Sequence, residues 1–206
     1  MSWRLYTHEK KNQKKNPNSM PKCTQNKTNR LPYIKHAAHI PLNRMSSYVK
    51  FYRGQRRTIF RPVSIDYLID NATDDELERH HGYIQWIFPL KEASKSQPGA
   101  IEELLTDEAI AELLGDQELK KKIKRVTRRM LKFWGISYTR NGVEIEDINT
   151  FHEKLGCMHN HNQLRMTRML TFMRHLGWGD VVEAIKPLLL CNTPRASAAV
   201  RYWARV

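Results

Sequence analysis

The stretch DQELKKKIKRVTRRMLKFWG, residues 116–135, constrains the fold of this chain more than any other. Leu119, Ile123, Val126, Met130, Phe133 and Trp134 recur at near-helical spacing, and Gly135 supplies a stop. A helix of that length with one apolar stripe needs other elements to cover it. The period then changes. ISYTRNGVEIE alternates around Asn141-Gly142, a strong short-range hairpin signal. Two short strands are expected, 136–138 against 143–145. They must lean on the helices, because an isolated hairpin is marginal in water.

The rest of residues 46–206 reads as helix. SYVKFYRG has Ser46 or Ser47 as its cap and Gly54 as its stop. Ser64 precedes Ile65, Leu68 and Ile69, and a further helix begins near Thr73 with Asp74, Asp75 and Glu76 in its first turn, where acids suit the helix dipole. Thr106 caps LTDEAIAELLG, with Ile110, Leu113 and Leu114 on its apolar side and Gly115 at its end. DINTFHEKLG, GDVVEAIKPLLLCN and SAAVRYWARV are shorter helices. HNQLRMTRMLTFMRHLG is a strong one, with Leu164, Leu170, Met173 and Leu176 facing in. The expected fold class is all-α: a compact multi-helix domain with one small β-hairpin behind a disordered basic N-terminal tail.

Charge separates the tail from the domain. Residues 1–45 carry ten Lys and Arg and one acid, within a chain whose net charge is +14. EKKNQKKNPNSMPKCTQNKTNR has almost no apolar periodicity, so it cannot bury enough surface to offset chain entropy. The tail is either an arm for nuclear import or nucleic acid, or a solvated segment without a specific partner. Three widely spaced cysteines, Cys23, Cys157 and Cys191, form no disulfide framework and suit a reducing compartment. No apolar run approaches the roughly 18 residues needed to cross a bilayer, and the N-terminus has no secretory apolar region.

Chemistry-bearing motifs are sparse. Phosphate-binding glycine loops, the nucleophile elbow and the HExxH zinc pattern are all missing from the sequence. No nucleophile–base pair stands out, so a non-enzyme is expected, with no cofactor. Cys157, His159 and His161 alternate at a spacing that does not converge on one metal. That stretch reads instead as a helix start capped by His161 or Asn162, with no metal site. Helix 120–132 offers Lys121, Lys122, Lys124, Arg125, Arg128 and Arg129 as a basic outer arc. Like charges at i, i+4 disfavour a helix. Relief comes either from a polyanion such as nucleic acid or from Glu102, Glu103, Glu112 and Glu118 within the fold. No aromatic residue interleaves that arc, so base stacking is not expected.

One stretch, HHGYIQWIFPLKE at residues 80–92, packs two histidines and three aromatics into thirteen residues. It resembles the YIQWLFP motif of the opioid growth factor receptor conserved domain. FYRG followed by SIDYLID, then LTDEAI, MLKFWGISYTRNGVEI and HNQLRMTRMLTFMRHLG, resemble further segments of that family in order, over about residues 47–180. The resemblance implies a mainly helical, non-catalytic domain. It also implies a receptor for an enkephalin-type peptide that regulates growth, at the nucleus or its periphery, with a membrane association. The residues themselves place Tyr83, Trp86, Ile87 and Phe88 in a packed helix junction ended by Pro89. A partner peptide or protein would be met beside Tyr83, Gln85 and Trp86, since aromatic residues often anchor interfaces. Arg165 and Arg168, three apart on one helix, could clamp a carboxylate or phosphate, or pair with Asp70 or Glu78. Two functions follow: a non-enzymatic peptide-binding or regulatory module, or a nucleic-acid-associated protein using tail and basic helix.

Overall fold

Helix starts are set by short polar side chains that satisfy the first free N–H groups. The structure, a computed structural model, describes residues 45–93, 103–139 and 142–206. Ser46 caps α1 (Ser47–Tyr52) and Ser64 caps α2 (Ile65–Asp70). Thr73 caps α3 (Asp74–Arg79), and Glu76 reaches back to complete a capping box. The expected Trp86 helix is α4 (Tyr83–Ile87), separated from α3 by His80, His81 and Gly82. Thr106 caps α5 (Asp107–Gly115), and Asp116 caps the long α6 (Gln117–Phe133).

Gly135, at φ +74°, lets the chain turn out of α6. An added Cβ there would lie 2.4 Å from the Asp147 carbonyl oxygen, so only glycine fits. The hairpin follows, β1 (Ile136–Thr139) against β2 (Gly142–Ile145), with Ile136 opposite Ile145 and Tyr138 opposite Val143. Each strand is one residue longer than the sequence pattern predicts, and the turn at residues 140–141 lies outside the described residues. Asp147 caps α7 (Ile148–Lys154). Then come α8 (His161–His175), α9 (Gly179–Asn192) and α10 (Ala198–Trp203).

Two helical groups share the core. One gathers α1, α2 and α5 around α6; the other gathers α7, α9 and α10 around α8. The hairpin joins them, with β1 on α6 and β2 on α9. Trp134, Phe151, Phe172 and Trp203 are fully buried, as are the α6 stripe residues named above. The all-α expectation with a single hairpin holds: among the described residues there are ten helices and one two-stranded sheet. No helix there is long and apolar enough to cross a membrane. Of the basic tail, residues 1–45, only Met45 falls within the described residues, and it is buried.

Local expectations fail where tertiary contacts decide. Leu164 faces solvent; the inner face of α8 is Met166, Met169, Leu170 and Met173, with Asn162, Arg165 and Arg168 buried beside them. Asn160, rather than His161 or Asn162, caps α8 by accepting from the Asn162 amide. Glu103, expected to offset the charge of the basic helix, turns to the start of α1 instead. Its carboxylate takes the Ser46 hydroxyl and, at 2.5 Å, the Ser47 amide, so it supports the start of α1 from 56 residues away.

Candidate functional site

The residues singled out around Trp86 are interior. Trp86 is 1% exposed, with Tyr48 edge-on at 5.8 Å, Phe51 at 5.5 Å and the Arg56 guanidinium 5.5 Å above its ring. Gln85 is buried next to it. Tyr83 is buried too, and its hydroxyl donates to the Leu77 carbonyl at 3.1 Å. Burial pushes the Tyr83 phenol far above its usual value.

Arg165 and Arg168 do not face solvent either. Arg165 donates through Nη1 to the Leu77 carbonyl (2.9 Å) and to Asn162 Oδ1 (3.0 Å). Its Nη2 reaches the carbonyls of Glu78 (3.2 Å) and His80 (3.4 Å). These are the open carbonyls at the end of α3, which a six-residue helix cannot satisfy internally. Arg168 Nε donates to the Phe88 carbonyl beyond α4 at 2.8 Å, and burial lowers this guanidinium to about 10. Neither arginine pairs with Asp70. Glu78 is the charged neighbour of Arg165, and its carboxylate is taken by Asn162 Nδ2 (3.1 Å) and His161 Nε2 (2.8 Å), with Lys154 at 3.8 Å.

The basic arc of α6 finds most of its acids on α2 and α3. Lys122 pairs with Asp66 (2.9 Å), Arg125 with Asp70 (2.5 Å), Arg129 with Asp74 (2.8 Å), and Lys121 with Glu118 (2.6 Å). Of the four glutamates expected to offset this helix, Glu118 is the one seen to do so; Glu102 lies outside the described residues. Lys124 stands 5.8 Å from the Trp178 ring centre, so an aromatic from the start of α9 joins the arc from outside the helix. Arg128 is exposed on the same side.

A cavity of about 430 Å³ opens at the front of the HHGYIQW stretch, between the loop before α2 and the end of α3. Its apolar wall is Val63, Leu68, Ala72, Leu77 and Tyr83, with the half-exposed Phe60 ring over Gly82. A second cavity of about 310 Å³ adjoins it and is lined by Arg61, Glu76, Arg79 and His80, all four shared with the first. Of the predicted peptide-site residues, Tyr83 alone lines this space. Arg165 shapes it indirectly, through the Leu77 and His80 carbonyls.

The loop that closes the cavity is held by Thr58. The Thr58 hydroxyl donates to the Arg61 carbonyl (2.9 Å) and accepts from the Val63 amide (3.0 Å), and the Thr58 amide meets the Val63 carbonyl (3.1 Å). Arg61 sits at φ +52°, a left-handed conformation that costs a non-glycine residue free energy. Its Nη1 lies 2.6 to 2.7 Å from the His80 ring nitrogens. Glu76 accepts from Tyr67 Oη (2.7 Å) and from the Thr73 amide (2.9 Å) and hydroxyl (3.1 Å). Those bonds, the Thr73 amide first, hold its carboxyl below the usual range. No residue pattern in the sequence marks Phe60, Arg61 or Val63, because the loop conformation that presents them arises from contacts rather than periodicity. No group of three or more potential metal ligands occurs among the described residues, the Cys157–His161 stretch included.

The model of the opioid growth factor receptor (OGFr) conserved region matches residues 42–193. The Homo sapiens opioid growth factor receptor is 30% identical over 134 residues, 63% of this chain and 19% of that protein. Opioid growth factor receptor-like protein 1 of Mus musculus is 30% identical over 150 residues, 70% of this chain and 31% of that protein. The Xenopus tropicalis protein of the same description is 29% identical over 148 residues, 69% and 27%. The chain therefore spans between about a fifth and a third of the length of these relatives. No solved structure matches it.

Proposed function

This chain belongs to the opioid growth factor receptor conserved-region family, and from that footing we propose that it is a non-enzymatic binding module that takes a peptide in the cavity before α2 and α3. The observation that carries this reading is the cavity itself: an apolar chamber with a charged mouth, in the size range of small-ligand sites. Its relatives are named as receptors for a growth factor of opioid type. The buried Trp86 then serves as the floor of the domain rather than as a contact residue. A nuclear or perinuclear place of action goes with this proposal.

Titration of an enkephalin pentapeptide into the full chain, followed calorimetrically, tests it. Saturable binding with weak salt dependence is expected, abolished by Val63→Phe, which fills the chamber, and weakened by Phe60→Ala. No binding, or binding indifferent to both substitutions, overturns it. The nucleic-acid reading draws on one observation, Trp178 beside Lys124, because four of the six predicted cations are matched by carboxylates. It predicts RNA or DNA binding that falls steeply with salt, and it fails if Lys124→Gln with Trp178→Ala leaves that binding unchanged.

A further inference from the structure

We infer that the ligand of this cavity is an apolar group joined to a carboxylate, and that in a peptide it is a free C-terminal residue with an apolar side chain, its carboxylate at Arg61. This rests on the cavity being a binding site, and it says which end of a peptide enters. The two adjoining spaces differ in chemistry. The larger has an apolar wall, while every residue lining the smaller is charged or an imidazole. A ligand that fills both must be apolar at one end and charged at the other.

The sign of that charge follows from what the lining groups already hold. Glu76 spends its acceptor positions on Tyr67 and Thr73. Arg79 spends a donor on Asp75 at 3.0 Å. Arg61 has no carboxylate within ion-pair distance among the described residues, and the His80 ring is its side-chain contact. The mouth therefore offers the free donors of one guanidinium, and one carboxylate whose acceptor positions are mostly taken by neutral donors. An incoming ammonium, such as a peptide N-terminus, meets the Arg61 charge and finds on Glu76 only the acceptor capacity left by three bonds. An incoming carboxylate meets the fork geometry that guanidinium groups supply.

The size of the charge follows as well. A phosphate would bring a second negative charge against the ionised Glu76, with Arg61 alone left to match it. A monoanion balances Arg61 and leaves the Glu76 bonds intact. Arg61 is also presented rather than merely present. Its left-handed backbone is held by the buried Thr58, through bonds on either side of Pro62. Strain maintained by surrounding contacts is a recurrent feature of ligand clamps.

Two sources share this chemistry, a peptide C-terminus and a small apolar carboxylate, and one set of titrations separates them. The probes are acetyl-tetraglycyl-phenylalanine as free acid, the same peptide as its C-terminal amide, and 3-phenylpropanoate. The proteins are the full chain and its Arg61→Gly variant, which removes the guanidinium while relaxing the positive φ, so the fold should be retained. Chemical-shift titration gives the dissociation constants. The acid is expected to bind at least about tenfold more tightly than the amide, the usual worth of one charge-assisted bond. Arg61→Gly should erase that difference while leaving amide binding within about twofold.

Equal binding of acid and amide, lost in Val63→Phe, overturns the carboxylate inference and leaves the binding module standing. So does an acid preference that survives in Arg61→Gly. Failure of all three probes to bind overturns both readings. Binding of 3-phenylpropanoate as tight as that of the peptide acid overturns the peptide source and keeps the carboxylate chemistry. Weaker binding supports the peptide.

Discussion

The short helices α2 to α4 are gripped from two sides by arginine and lysine, and the two grips differ in almost every physical respect. On the α6 side, Lys122, Arg125 and Arg129 reach Asp66, Asp70 and Asp74, chiefly side chain to side chain, with the acids about half exposed. On the α8 side, Arg165 and Arg168 are buried and bind backbone carbonyls at the ends of α3 and α4. Helices of five or six residues leave most of their carbonyls without internal partners. Where such ends are buried, a guanidinium can answer several carbonyls at once. Where they are open, water can answer them, and the α6 cations bind chiefly carboxylates, with Arg129 alone of the three also donating to a backbone carbonyl, that of Ala72 at 2.7 Å. The cavity lies on this doubly held segment, so its shape depends chiefly on the buried grip.

Removing the buried grip should show this most strongly. Arg165→Leu strips donors from the carbonyls of Leu77, Glu78 and His80, and buried polar groups left without partners are costly. A loss of about 3 to 5 kcal/mol is expected by urea denaturation. Arg168→Leu should cost clearly less, about 1 to 2 kcal/mol. That side chain makes one such bond, and its buried Nη2 has no hydrogen-bond partner, so the substitution also removes a penalty. Equal losses at the two positions would break the proposed division of labour within α8.

The next effect comes from acid. Burial first, then the nearby Arg165, hold the His81 and His161 rings below the ordinary 6.5. The rings meet edge to face at 4.9 Å, next to Glu78 and Arg165. A histidine whose value falls on folding binds protons more readily in the unfolded chain. Its contribution to stability is therefore complete above about 6.5 and is lost as pH falls below that. The melting temperature is expected to drop between pH 7.5 and 5, and His81→Asn with His161→Gln should flatten that drop. An identical slope in the double variant would place the acid sensitivity elsewhere.

How much of this could be read in the sequence depends on the range of the interaction. Caps at Ser64, Thr73 and Thr106, the α6 stripe and the hairpin register are legible because each is settled within a few residues. The spacing of Asp66, Asp70 and Asp74 is equally visible, four apart, yet nothing local says that Lys122, Arg125 and Arg129 lie across from them. Leu164 reads as core by its period and is exposed because Arg165 and Arg168 claim the buried face. The site was legible only in part. The HHGYIQW stretch marks its rear wall through Tyr83, but Arg61 is placed by Thr58 and a left-handed backbone, which no periodicity announces.

The smallest effect tests the surface grip. Arg125 and Asp70 are each 48% exposed at the side chain, and pairs of that kind contribute about 0 to 1 kcal/mol because water competes and salt screens them. A double-mutant cycle with Arg125→Ala and Asp70→Ala should return a coupling below about 1 kcal/mol that shrinks further between 0.05 and about 0.5 M salt. A coupling of several kcal/mol, insensitive to salt, would mean that the α6 cations hold α2 as firmly as Arg165 holds α3. The basic arc would then be a structural clasp throughout, with little of it left for any polyanion. A small, screened coupling leaves α6 free to exchange its acids for an outside partner without unfolding the segment that carries the cavity.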